Sequence, residues 1–521
     1  MRKVFVIGFM ASGKTTVGRA LARALGLPFV DLDERIESEA GMSVADIFAA
    51  ESEAGFRRRE RAALDAVVAE GAAVIATGGG TPCLPGALDQ MRSAGAVVAL
   101  HAPFDALRAR VDDPASRPML ARPVAALREL YDARLPVYRQ AHFGVDVQER
   151  DVADVVRATV DALGAFDRVP DDARAASTVV ALGRRSYPIV VAPGVLHRIG
   201  EFVDGYTAAA IVTDEHVAPH YLDRLRARVE RAGVRAVEVV IPAGEEHKTL
   251  ATAGSIAERL VAAGLDRGSV VIALGGGVVG DIAGFVAAML FRGVDLVQVP
   301  TTLLAMIDSS IGGKTGVDLP AGKNLVGAFW QPKAVVADTD TLATLPAREL
   351  RAAVGELVKY ALLDSEEMLA LCERLDPTDA TLIRRCATFK AWTVSRDERE
   401  VTGERAVLNL GHTIGHAIEV AAGYGTLLHG ECVALGLVAA CRVSAALGLC
   451  DPALERRVAA LLSARGLDVD VDRWLRPDVL AHVAVDKKRR GDAIRFVAIE
   501  RPGAPVVKPL KLDELSGLLY D

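Results

Sequence analysis

The sequence is poor in cysteine. Six occur in 521 residues, at 83, 372, 386, 432, 441 and 450. None forms a CxxC pair, which argues against a zinc ribbon or a redox dithiol, and the scatter suits a reducing cytoplasm. Aromatics make up only 5%. The densest basic clusters, residues 57–59 and 487–490, are short and carry no interleaved aromatic, so nucleic acid is not an expected partner. Long apolar runs are also missing. Residues 4–7 meet Gly8 at once, and the richest later stretch, 433–449, carries Arg442 and many alanines and reads as a buried helix. Neither a signal peptide nor a membrane span is expected. No run of one charge stands out in a chain of net charge −7. Small anionic substrates can still be held, because the field inside a cleft does not depend on the net charge.

What is present is ample core material: 51% hydrophobic and 25% charged residues, in a length that suggests about three domains. To about residue 165, short β-branched runs at 4–7, 74–76 and 97–100 alternate with helical patterns such as Lys14 to Leu25. That alternation implies a parallel sheet covered on both faces. The pattern lapses between Phe166 and Ser177, where the charged, proline-bearing stretch from Asp167 to Arg174 reads as an interdomain linker. A second α/β series follows, with strands near 189–191, 210–212, 237–241, 270–274 and 296–299. Beyond Pro346 helical periodicity dominates, with one short hairpin expected from 493–499. The expected architecture is α/β: a P-loop domain over 1–167, a Rossmann-like domain over 178–345 and an all-α metal-binding domain over 346–521.

Residues 8–15, GFMASGKT, match the pattern GxxxxGK[ST] between a strand and a helix. Backbone N–H groups between Gly8 and Gly13, and those of the helix start at Thr15 and Thr16, would face phosphates. Lys14 would reach the β/γ-phosphates of ATP and the Thr15 hydroxyl would ligate Mg²⁺. Further along, Phe29-Val30-Asp31-Leu32-Asp33 places two acids at alternate strand positions, pointing the same way. Phe56-Arg57-Arg58-Arg59-Glu60, the triplet Gly78-Gly79-Gly80, Arg117-Pro118-Met119-Leu120, and Arg134 four residues before Tyr138 complete the set.

In that order these motifs resemble the shikimate kinase family over about residues 1–165. The resemblance implies that Asp31 lies near the Mg²⁺ shell. It implies that Asp33 binds and orients the attacking hydroxyl, and that Arg57 and Arg134 clamp a carboxylate. It also implies that the glycine triplet admits the acceptor ring and that Arg117 reaches over the nucleotide. One departure stands out: His142 occupies a position where the family usually has alanine.

Further on, Gly275-Gly276-Gly277-Val278-Val279-Gly280 is GxGxxG after a strand and before a helix. It can admit a pyrophosphate to a helix N-terminus. The usual acid some 20 residues on is not clear, so a plain strand–turn–helix stays open. Asn409 to His416 sets His412 and His416 at i, i+4 on one helical face, and His429-Gly430-Glu431 follows. Gly355-Glu356-Leu357-Val358-Lys359 adds a carboxylate and a lysine on one face. Glu and two His make a credible open site for Zn²⁺ or Co²⁺.

Residues from about 178 to 521 resemble 3-dehydroquinate synthase. The resemblance rests on 242–249 (PAGEEHKT), 300–305 (PTTLLA), 308–316 (DSSIGGKTG) and Lys323-Asn324. It implies that Glu356, His412 and His429 are the metal ligands and that His416 transfers protons. It implies that Asp214, Glu245, Lys248, Gly275, Gly276, Gly277, Asp281, Thr301 and Thr302 bind NAD. Asp308, Lys314, Lys323, Asn324, Lys359, Lys390, Arg405, Asn409 and Lys487 would line the pocket for a heptulosonate phosphate, with Lys314, Lys359 and Arg405 taking part in catalysis. The spacing after Lys390 is one residue longer than usual. Arg292 would reach the substrate of a neighbouring subunit, which implies a homodimer. Two rivals remain for this half: a metal-dependent polyol dehydrogenase and a related sugar phosphate cyclase. A third reading makes one half an inactive nucleotide-binding module.

Overall fold

The computed structural model describes residues 3–110, 123–423, 426–476, 479–483 and 493–520. The chain separates into two compact units, Met1–Val190 and Val191–Asp521.

The first unit is built on a five-stranded sheet of order β2-β3-β1-β4-β5. Its strands are β1 (Val4–Gly8), β2 (Phe29–Asp31), β3 (Val74–Ala76), β4 (Ala96–His101) and β5 (Phe143–Asp146). All are parallel, with Val4 opposite both Val74 and Ala96 across the central strand. Every residue of β1 and β4 is buried. Such strands read as continuous apolar runs because both faces are covered.

The expected linker is a correction. Asp171–Ala176 forms a 3₁₀ helix, and β6 (Ser177–Val180) pairs antiparallel with β7 (Tyr187–Ala192). Buried Arg92 donates to Gln140 O at 2.5 Å, Ala175 O at 2.9 Å and Ser177 O at 2.7 Å. His142 is fully buried. Its Nδ1 accepts from the Val97 N–H at 2.9 Å, so the proton sits on Nε2, which donates to Arg174 O at 3.1 Å. The His142 carbonyl in turn accepts from the Val179 N–H at 2.7 Å and Thr178 Oγ1 at 2.9 Å. The 3₁₀ stretch Asp171–Ala176 therefore belongs to the first unit. Its partners come from distant stretches of chain, which local composition does not reveal.

In the second unit the parallel strands β8 (Ala208–Asp214), β9 (Arg235–Ile241), β10 (Val270–Gly275), β11 (Asp295–Pro300) and β14 (Ala334–Asp338) follow the order β14-β11-β10-β8-β9. Val270, Val271, Ile272 and Leu274 of β10 have no exposed surface. Full burial of one such side chain contributes about 1.5–3 kcal/mol. The strand order reverses between β8 and β10, so Asp214 and Gly275 end side by side at a topological switch point, where open α/β sheets bind ligands. The hairpin β12 (Lys314–Leu319) and β13 (Gly322–Phe329) forms its own two-stranded sheet, with a single bridge from Asp318 to Thr249.

After Pro346 come the helices Ala347–Asp364, Ala380–Arg396, His412–Ala422 and His429–Ala446, and later the expected hairpin, β15 (Ile494–Arg501) with β16 (Ala504–Leu510). Glycine brings Ala347–Asp364 and His412–Ala422 close against His429–Ala446. A Cβ at Gly355 would stand 2.1 Å from Gly430 O, and one at Gly436 would stand 1.9 Å from Gly411 O. Only backbone fits at either crossing, and side chains flanking them converge.

Candidate active sites

In the first unit, β1 ends at Gly8 with φ +146, where a Cβ would meet Leu100 O at 2.4 Å. The loop turns through Gly13 (φ +86) into the helix Lys14–Leu25. Lys14 Nζ donates to Phe9 O at 3.0 Å, folding the ammonium over the loop. The Thr15 hydroxyl donates to Asp31 Oδ2 at 2.7 Å, so the two expected Mg²⁺-side groups are in contact. Thr16 is exposed in the first helical turn.

Asp33 departs from expectation. The strand stops at Asp31, whose side chain caps the helix Leu32–Ala40 by accepting from the Asp33 and Glu34 N–H groups. Asp33 therefore sits in a first helical turn instead of on the strand, because an aspartate N-cap ends extended structure there. It still reaches the glycine triplet: a Cβ at Gly78 would lie 2.9 Å from Asp33 Oδ1. One at Gly79 would lie 3.5 Å from Arg134 Nη1, and one at Gly80 2.2 Å from Arg57 Nη1. An acid and two guanidinium groups thus surround a patch of bare backbone. Two motif residues that had been given no role hold it. Buried Glu60 pairs with Arg57 and accepts from Thr81 Oγ1 at 2.8 Å. The Tyr138 hydroxyl donates to Gly79 O at 2.7 Å. Arg117 lies outside the described residues, as does Lys487 of the second unit.

In the second unit, Gly275 closes β10, Gly276 caps the helix Gly277–Met289, and the Thr301 N–H donates to Gly275 O at 3.0 Å. A Cβ at Gly276 would approach Thr302 Cγ2 to 3.0 Å. Asp214 Oδ1 accepts from the N–H groups of His216 and Val217. Lys248, buried to 4% exposure of its side chain, pairs with Asp281 at 2.7 Å and Glu245 at 3.5 Å, and donates to Asn324 Oδ1 at 2.6 Å. Burial disfavours the Lys248 cation, but Asp281 and Glu245 outweigh it and raise its pKa.

A cavity of about 670 Å³ brings together Asp281, Asp308, Lys314, Asn324, Glu356, Lys359, Lys390, Arg405, Asn409, His412 and His429. Lys390 is among them despite the longer spacing after it. Lys390 pairs with Asp308, and Lys359 lies 2.5 Å from Glu356 and 3.5 Å from Asp308. Burial and Arg405 push Lys390 down to about 7; its ion pair with Asp308 favours the charged form. Two expected residues stand apart from the lining. Arg292 is exposed, at φ +68. Lys323 pairs with Glu419 at 3.2 Å.

At one end of the cavity Glu356, 1% exposed, has Oε1 3.2 Å from both His412 Nε2 and His429 Nε2. Its Oε2 is buried and accepts no well-formed hydrogen bond, although Lys359 Nζ is close. Burial opposes the carboxylate, yet Lys359 and the histidines hold its pKa well below the usual range. His416 adds a third imidazole, with ring centroids 5.2 Å from His412 and 5.7 Å from His429. One carboxylate and two imidazoles with a spare buried oxygen fit a Zn²⁺ or Co²⁺ donor set.

Sequence reasoning missed Glu400, which lines the cavity and pairs with Lys314 and with Arg405 at 3.4 Å. It also missed Glu419. Both stand beside quoted motifs, so proximity was the available signal. Glu400 (φ +58) and Asn324 (φ +57) are both left-handed without being glycine.

Three family matches cover most of the chain: shikimate kinase at 10–164, 3-dehydroquinate synthase N-terminal at 238–352 and 3-dehydroquinate synthase C-terminal at 353–489. The 3-dehydroquinate synthase of Acidithiobacillus ferrooxidans is 46% identical over 343 residues, 64% of this chain and 93% of that protein. The one from Caulobacter vibrioides is 46% identical over 361 residues, 66% of this chain and 97% of that protein. Among solved structures, a 2-deoxy-scyllo-inosose synthase complexed with carbaglucose-6-phosphate, NAD⁺ and Co²⁺ superposes with a TM-score of 0.58 at 26% identity, covering 66% of this chain and 99% of that one. A 2-epi-5-epi-valiolone synthase from Streptomyces hygroscopicus subsp. jinggangensis, with NAD⁺ and Zn²⁺ bound, gives 0.57 at 28% identity, covering 64% and 95%. With the phosphate loop in one unit and the Glu–His–His cavity in the other, the chain belongs to the 3-dehydroquinate synthase family and carries a shikimate kinase in the same polypeptide.

Proposed function

We propose that the first unit transfers the γ-phosphate of ATP to the 3-hydroxyl of shikimate. The backbone of the loop from Gly8 to Gly13, with Thr16 at the helix start, holds the phosphates. Lys14 neutralises charge developing on the transferred group, and Thr15 and Asp31 hold Mg²⁺. Arg57 and Arg134 grip the acceptor carboxylate bidentately, the glycine triplet admits the ring, and Asp33 orients the attacking hydroxyl. Arg117 would act over the nucleotide.

The second unit converts 3-deoxy-D-arabino-heptulosonate 7-phosphate to 3-dehydroquinate and phosphate. The reading is carried by one observation: a cavity with Glu356, His412 and His429 at one end also gathers Lys314, Lys390, Arg405 and Asn324. A polyol dehydrogenase has little need for that anion-binding set. Asp214, Glu245, Lys248, Asp281, Thr301 and Thr302 would hold NAD, with its pyrophosphate over Gly275, Gly276 and Gly277. When bound, NAD supplies reversible oxidation at one substrate carbon, and the Zn²⁺ or Co²⁺ polarises the oxygens there. Asp308, Lys323, Lys359, Asn409 and Lys487 would orient the substrate, and His416 would move a proton to or from it. Exposed Arg292 would serve the site of a second copy in a homodimer. Six free thiols accord with a cytoplasmic setting.

The test is a paired assay of the purified full chain. Expected are phosphorylation of shikimate with ATP and Mg²⁺, and NAD⁺-dependent phosphate release from the heptulosonate with no net NADH. Steady NADH accumulation without phosphate release would reverse the second assignment in favour of a dehydrogenase. Phosphate release yielding a different ring product would favour another sugar phosphate cyclase.

A further inference from the structure

Glu356 Oε1 meets two imidazoles at the same distance, 3.2 Å from His412 Nε2 and 3.2 Å from His429 Nε2. For both to offer Nε2 as a ligand, both must carry the proton on Nδ1. His412 donates its Nδ1–H locally, to Leu410 O at 3.1 Å. The Nδ1 of His429, the first residue of its helix, instead faces Glu419 Oε2 at 3.2 Å. Glu419 lies seven residues after His412 on the same helix, two turns along one face. One helix thus supplies a ligand and also the group that aims a ligand from another helix. The second Glu419 oxygen accepts separately from Lys323 Nζ at 3.2 Å.

We propose that Glu419 is a positioning residue: it holds His429 in the Nδ1–H tautomer, with Nε2 directed at the metal site beside Glu356. This rests on the metal reading given above. A carboxylate behind an imidazole ligand fixes its ring and raises its basicity, and losing such a partner typically weakens metal affinity about 10–100-fold. The partner is not equivalent to the backbone carbonyl behind His412, because only the carboxylate can be removed by substitution.

The test is Co²⁺ titration of metal-stripped full-length protein, followed by the visible Co²⁺ absorption band, for wild type, Glu419→Ala, Glu419→Gln and Lys323→Met. Glu419→Ala should bind about 10–100-fold more weakly with an altered band. Glu419→Gln keeps an oxygen to accept the Nδ1–H and should recover much of the affinity and the wild-type band shape. Lys323→Met leaves the His429 contact in place and should change affinity little. Wild-type uptake with equally tight binding by Glu419→Ala overturns this inference alone. So does a Glu419→Gln as weak as Glu419→Ala, or a Lys323→Met as weak as either. A wild-type chain that takes up no Co²⁺ overturns the metal reading and this inference with it.

Discussion

Gly430 and Ala352 touch backbone to backbone: a Cβ on Gly430 would stand 2.0 Å from Ala352 O. That crossing sets His429 beside Glu356. Gly430→Ala should force the helices Ala347–Asp364 and His429–Ala446 apart, at about 1–3 kcal/mol of overpacking. Expected are loss of bound metal and of heptulosonate turnover with shikimate phosphorylation unchanged, read by metal analysis and both assays. Full metal retention would show that the crossing does not set the site.

Lys14→Ala should lower shikimate phosphorylation by about 10²–10³, the usual effect of deleting one transition-state charge contact. Dehydroquinate formation should be untouched, since Lys14 belongs to the other unit. Near-normal kinase turnover would remove the loop as the phosphate site.

Lys390 gives a pH signature. Burial and Arg405 bring it down to about 7, so its cation is fully present below that pH and lost above it. KM for the heptulosonate phosphate should therefore rise as pH passes upward through about 7. Lys390→Arg stays charged at all working pH values and should flatten that component. An unchanged profile in the variant would assign the titration to another group.

The first unit should not tolerate a cut at Arg168. Residues 1–168 lack Arg174, Ala175 and Ser177, removing two of the carbonyls to which buried Arg92 donates and the carbonyl to which His142 Nε2 donates. A buried donor left unpaired costs about 1–3 kcal/mol. Residues 1–190 should melt several degrees higher than 1–168 in thermal unfolding; equal midpoints would restore the linker reading.

Chemistry carried by contiguous residues was legible in the sequence. The phosphate loop, the glycine triplet and the two-histidine helix each need neighbours at fixed spacing. Strands such as β1 and β10 were legible for a related reason, because burial on both faces demands an unbroken apolar run. What failed was set by distant contacts. Asp33 moved onto a helix because Asp31 caps it. The apparent linker is ordered by Arg92 and His142, far away in the chain. Glu419 acquires its place only when a second helix brings His429 to it.

Asn324 and Glu400 hold the cavity's polar lining from left-handed backbone. Such conformations cost about 1–3 kcal/mol each in non-glycine residues, less for asparagine than for glutamate. Heat tolerance and turnover therefore pull against each other at these two positions. A screen selecting only for survival at high temperature should drift toward glycine at 324 and 400. It would enrich hardy proteins that have discarded one contact to Lys248 and another to Lys314.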